Sequence, residues 1–74
     1  MKIIQIAQLQ EIKAQVEAGA NDHDISHMIR EVRQGVNNEV LGAKLEEIES
    51  QTKQGTSKTD LLQMMNEVLS DLRQ

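Results

Sequence analysis

The chain predicts an all-α fold, on three observations. It contains no proline, the residue that interrupts helices. It contains no phenylalanine, tyrosine or tryptophan, so the aromatic strand formers are missing, while Gln, Glu, Ala, Leu, Met and Lys abound. Its apolar residues recur at spacings of three and four, the period of a helix face. Turn residues cluster at three places: Gly19 with Asn21 and Asp22, Gly35 with Asn37 and Asn38, and Gly55 with Thr56 and Ser57. Three breaks predict four helices, at about 3–18, 22–35, 39–54 and 58–73.

Each element has its own justification. The first helix presents Ile6, Leu9, Ile12 and Val16 on one face and ends at Gly19, where a helix C-terminus needs a residue that accepts positive φ. Asn21 can cap the next helix, with Asp24 in the reciprocal position of a capping box and complementing the helix dipole. The second helix carries the stripe Ile25, Met28, Ile29, Val32 and Val36. Val36 in that register offers an alternative to the stop at 35: a helix running through Gly35, with Asn37 or Asn38 as its stop. The third helix buries Val40, Leu41, Leu45 and Ile48, with Thr52 where a further apolar residue would fall. Gly55 ends it and Ser57 with Asp60 caps the fourth, whose stripe is Leu61, Met64, Met65, Val68 and Leu72.

The most informative feature is an internal repeat. Sliding the sequence by 36 residues lays 1–38 on 37–74 without a gap, and ten of the 38 pairs are identical: Ala7/Ala43, Leu9/Leu45, Glu11/Glu47, Ile12/Ile48, Gln15/Gln51, Gly19/Gly55, Asp24/Asp60, Met28/Met64, Glu31/Glu67 and Val32/Val68. Ile4/Val40, Ile25/Leu61, Ile29/Met65 and Val36/Leu72 are apolar in both copies. The expectation is a single domain, 1–74, built from two tandem helical hairpins by duplication, with repeat one at 1–36 and repeat two at 37–72.

A chain this short rarely buries enough apolar surface to be comfortable alone, and this one has only aliphatic side chains to bury. Ile3, Ile4, Leu62 and Leu69 lie beside or off the main stripes and widen the apolar faces. Two arrangements use them: a four-helix bundle that turns them inward, or a second contact surface in a homodimer or against another protein. Together with the methionine-rich stripe they define a candidate partner-binding set, Ile3, Ile4, Leu62, Met64, Met65 and Leu69, methionine being suited to adaptable surfaces.

Several function classes fall away. There is no cysteine, hence no disulfide framework and no cysteine-based zinc site, and a reducing, cytoplasmic setting is the expectation. No apolar run exceeds two residues, which predicts no membrane partnership. Twelve acidic against eight basic residues give a net charge of −4, which, with no aromatic ring for base stacking, argues against nucleic acid. His23 and His27, at i and i+4 around Asp24, have the spacing of a zinc-protease helix, but no third ligand or general base is identifiable, and solvated histidines are expected. The Asn21–Asp22–Asp24 group fails as a calcium loop because Arg33 occupies the twelfth position counted from Asp22. No nucleophile–base arrangement or phosphate-cradling glycine pattern is present. The expectation is a non-enzyme without cofactor or metal.

Size and charge invite comparison with acyl carrier proteins, but the Asp-Ser-Leu of that family is absent at both helix starts. The repeat length invites comparison with tetratricopeptide arrays, whose aromatic residues and proline are absent too. The spacing of Val16, Gly19, Asp24, Met28 and Ile29, matched in part by Thr52, Gly55, Asp60, Met64 and Met65, resembles the core of bacterial anti-sigma factors of the flagellar type. That family's aromatic and valine between Gly and Asp are replaced here by Asn21 and His23, or Ser57 and Thr59. The shared pattern is that of any capped helical hairpin and assigns no family.

The functional expectation is a small acidic protein–protein interaction module, a regulator, adaptor or inhibitor that docks an apolar helix face on a protein partner. One alternative is a DNA-binding regulator using Arg30 and Arg33 of the second helix. Another is a structural subunit of a phage or bacterial assembly.

Overall fold

A computed structural model describes residues 2–74. These residues form four helices, α1 (Lys2–Glu17), α2 (Asp22–Gln34), α3 (Glu39–Lys53) and α4 (Lys58–Arg73), and no strand. None of the helices is long and apolar enough to cross a membrane.

The helix ends follow from local chemistry. Gly19 and Gly55 stand at φ +88° and +82°, the left-handed region that side chains resist. In each turn two amides return to the last helical carbonyls: Gly19 N–H to Val16 O at 3.1 Å and Ala20 N–H to Gln15 O at 3.0 Å, then Gly55 N–H to Thr52 O at 3.2 Å and Thr56 N–H to Gln51 O at 3.1 Å. The caps are those expected: Asn21 Oδ1 accepts the Asp24 amide at 2.8 Å and Ser57 Oγ the Asp60 amide at 3.3 Å. Asn38 Oδ1 starts α3 by accepting the amides of Val40 and Leu41.

The middle turn decides between the two stops. Helix α2 stops at Gln34 instead of continuing through Gly35. The Gly35 and Val36 amides bond to Val32 O and Arg33 O, three residues back, which tightens the chain toward the Asn38 cap. Gln5 of α1 donates its amide to the Gly35 carbonyl at 3.1 Å, satisfying one of the groups the helix end leaves open. Val36 keeps its apolar role, half-buried against the core, although it is no longer helical.

The helices close into a ring in which each packs on two others. α2 lies on α3 and α1 on α4 most extensively, α1/α2 and α3/α4 less so, and among the described residues the diagonal pairs make no close backbone approach. The tighter contacts therefore join the two halves of the chain and not the two helices of each hairpin. Directions alternate. Gln5, Gly35, Val36, Asn38, Leu41 and Leu72 line one cleft, which brings the starts of α1 and α3 to the ends of α2 and α4. The Cα radius of gyration is 10.9 Å, against about 11 Å for a well-packed chain of this length.

The core is aliphatic, as composition requires. Leu9, Ile12 and Val16 come from α1, Ile25, Ile29 and Val32 from α2, Leu41, Leu45 and Ile48 from α3, and Leu61, Met65, Val68, Leu69 and Leu72 from α4. Seven pairs of positions 36 apart are buried in both members: Gln5 and Leu41, Leu9 and Leu45, Ile12 and Ile48, Val16 and Thr52, Ile25 and Leu61, Ile29 and Met65, Val32 and Val68. Thr52 fits a valine-shaped place because its hydroxyl donates to Ile48 O at 2.8 Å, so its own buried donor is paired. Val40, expected on the buried face of α3, is instead 64% exposed. It falls in the first turn of α3, at the end of the molecule, beyond the reach of the core.

Candidate partner-binding grooves

The six residues proposed from sequence as a partner-binding set do not share one surface. Met65 and Leu69 are enclosed by the chain's own helices, at 0% and 2% exposure, which takes them off any docking face. Both lie on the side of α4 turned to the core, so the apolar surplus of that helix is largely spent internally. Leu62 and Met64 are half-buried against the same core. Ile3 and Ile4 are exposed at 70% and 59%, at the start of α1 and at the same end as Val40.

A second surface was not read from sequence. On the outside of the first hairpin, Ala7, Gln8, Glu11 and Ile12 of α1 and Met28, Glu31 and Val32 of α2 line a groove of ≈ 320 Å³. Its floor is apolar, and each wall carries one carboxylate, Glu11 on α1 and Glu31 on α2. On the second hairpin, Lys44, Glu47 and Ile48 of α3 and Met64 and Glu67 of α4 line a smaller groove of ≈ 120 Å³. Every residue of the second groove is the 36-residue counterpart of a residue in the first. The only chemical change among these five positions is Gln8 to Lys44.

The identities between the two halves concentrate here. Of the ten, six line the first groove: Ala7, Glu11, Met28 and Glu31 at its surface, and Ile12 and Val32 beneath it as buried core residues. The other four have local reasons. Leu9 and Leu45 are core, Gly19 and Gly55 make the left-handed turns, and Asp24 and Asp60 sit at capped helix starts. Gln15 and Gln51 each donate to the groove glutamate one turn earlier, Glu11 at 3.0 Å and Glu47 at 2.9 Å. Among the pairs buried in both members, Leu9/Leu45, Ile12/Ile48 and Val32/Val68 are identical, whereas Gln5/Leu41, Val16/Thr52, Ile25/Leu61 and Ile29/Met65 differ. A signal was present in the sequence: identical residues at Ala7, Glu11 and Glu31, which the helical period places off the core-facing stripe.

Arg30 and Arg33 are engaged within the fold. Arg30 Nη2 lies 2.9 Å from Glu49 Oε2, Arg33 Nη1 2.6 Å from Glu46 Oε1, and Lys53 Nζ 3.3 Å from Glu49 Oε2. Glu49 is 7% exposed, a burial that sequence reasoning missed because only the approach of α2 to α3 creates it. The Arg30 guanidinium holds the Glu49 carboxyl below the usual glutamate range; burial opposes this and Lys53 adds to it. On the α3/α4 side, Lys44 pairs with Asp71 at 2.5 Å, which raises the Lys44 pKa, burial working against this and the Asp71 and Glu67 charges adding to it.

Of the two histidines, His27 is exposed and its Nε2 is 2.9 Å from Glu31 Oε1. Among the described residues no three His, Asp or Glu side chains converge as a metal site would need. No protein-family model, no curated protein and no solved structure matches the chain.

Proposed function

We propose that this protein is a non-catalytic interaction module, made by duplication of a helical hairpin and closed as a four-helix bundle, that docks protein partners in the grooves on its two hairpins. The observation that carries this is the recurrence of one groove lining at a 36-residue offset, with Glu11, Ile12, Met28 and Glu31 repeated as Glu47, Ile48, Met64 and Glu67. Core packing does not require identity at positions that face outward, whereas a shared ligand does. The matched burial along both halves, and the facing of Arg30 to Glu49 and of Asn66 to Lys13, which are the same two positions shifted, support the duplication. Helix-in-groove docking is the mode such a surface fits.

A photo-reactive side chain in place of Ala7 tests the reading in extracts of the cell that makes the protein. One partner should be captured in fixed ratio, capture should disappear when Met28→Asp is added, and the same probe at the exposed Ala14 should capture nothing. A Met28→Asp chain that melts like the parent and still captures the same protein would overturn the docking site.

A second reading, a subunit of a homo-oligomeric assembly, is favoured by the exposed Ile3, Ile4 and Val40 at one end of the molecule. Mass in solution across concentrations decides it: a constant monomer mass would remove it. The arginines that a DNA-binding role would use are occupied by Glu46 and Glu49, which counts against that alternative.

A further inference from the structure

We infer that the occupant of these grooves is a basic amphipathic helix, one carrying an apolar stripe flanked on both sides by Lys or Arg, and that the α1/α2 groove is the stronger of two unequal sites. This rests on the interaction-module reading and adds the chemistry of the partner. The apolar surface open to a partner comes from the exposed Ala7 and the half-buried Met28, laid over the buried Ile12 and Val32, and calls for apolar anchors on the partner. The walls present Glu11 from one side and Glu31 from the other, so a helix laid between α1 and α2 meets a carboxylate along each edge. Among the described side chains no lysine or arginine neutralises either carboxylate: Glu11 accepts from the Gln15 amide, and Glu31 meets His27 through one oxygen. A partner with cations at both margins of its apolar stripe matches that pattern.

A second copy of this chain does not. It would bring a net charge of −4 against the same sign and, seated groove to groove, would set carboxylates against carboxylates. Charge complementarity selects a different, basic protein.

The second groove repeats the pattern with one electrostatic change. Lys44 stands where the first groove has Gln8, paired with Asp71 and felt by Glu67. A cation already on the wall repels an incoming one and partly meets the charge of Glu67. With its smaller volume, this makes the α3/α4 groove the weaker site.

The test is a titration of the isotopically labelled full chain, followed by amide NMR, with two synthetic helical peptides. They share one apolar stripe of Leu at i, i+3, i+4 and i+7, flanked by Lys in one and by Glu in the other. The Lys peptide should move the amides around Ala7 and Met28 first, and those around Glu47 and Met64 at higher concentration. Glu11→Gln with Glu31→Gln should weaken the first site about fivefold, the effect of two exposed ion pairs, and raised salt should do the same. Lys44→Gln should bring the second site toward the first. Equal binding of both peptides in the groove would overturn the basic occupant while leaving the docking module intact. Shifts confined to the Ile3, Ile4 and Val40 end, or no shift with the Lys peptide at millimolar concentration, would overturn the grooves as its seat. The module itself answers separately to capture at Ala7.

Discussion

The two seams that join the halves of the chain, α2 on α3 and α1 on α4, use positions related by the same offset and are chemically unlike. Ser26, Arg30 and Arg33 lie along one stripe of α2; their counterparts on α4 are Leu62, Asn66 and Leu69. Opposite Arg30 stands Glu49, buried and met by three cations; opposite Asn66 stands Lys13, a single exposed hydrogen bond of 2.6 Å. One seam is closed by charge with a small residue at Ser26, the other by two leucines. The ionic seam has the more extensive backbone approach, in keeping with a serine that lets α2 come close to α3. The same geometry can thus be held by either chemistry, and their costs of disruption should differ.

The largest effect should come from the apolar seam. Leu69→Ala removes a side chain that is 2% exposed and should cost about 2–4 kcal/mol in urea unfolding, the range for cavity formation in a core. Arg33→Ala, at the equivalent place, should cost about 1 kcal/mol, because a partly exposed, salt-screened pair contributes little. Equal losses would mean that the seams are energetically alike.

Acid sharpens the contrast. The Glu49 pKa is lowered in the folded chain, so Glu49 contributes stability above the ordinary glutamate pKa that is lost as pH falls through its lower folded value. Glu49→Gln should therefore destabilise the protein by about 1 kcal/mol near pH 7 and flatten its stability profile below about pH 4.5. An unchanged acid limb would show that the ionic seam is not the site of that sensitivity.

The smallest effect belongs to Ser26→Ala. The Ser26 hydroxyl is buried without a hydrogen-bond partner among the described residues, so its removal should be neutral or stabilising by up to about 1 kcal/mol. A clear destabilisation in thermal melts would reveal a partner for that oxygen and a different account of the close α2/α3 contact.

Much of the fold is legible in the residues because its determinants are local. Gly19, Gly55, Asn21 and Ser57 act on backbone within four residues of themselves, and the four helices follow from them and from the absence of proline. The core stripe of α2 follows from periodicity in the same way. The candidate site was legible only as a coincidence of identical exposed residues, since a groove exists only after two helices pack. Met65 and Leu69 show the reverse error: an apolar stripe wider than one hairpin partner can cover looks like an interface until α4 is given α1 and α3 as neighbours.

The amino-acid sequence by itself determined the helices, their caps and turns, the aliphatic core register and the 36-residue correspondence, because hydrogen bonds to adjacent backbone and a fixed helical period need no distant partner. Only the tertiary structure decided which helices meet most closely, that Glu49 is buried among three cations, that Leu69 turns inward while Val40 stays out, and that Glu11 of α1 and Glu31 of α2 line one groove. Those outcomes depend on which surfaces the ring of four helices brings together, a choice made by the summed packing of the whole chain and carried by no local segment.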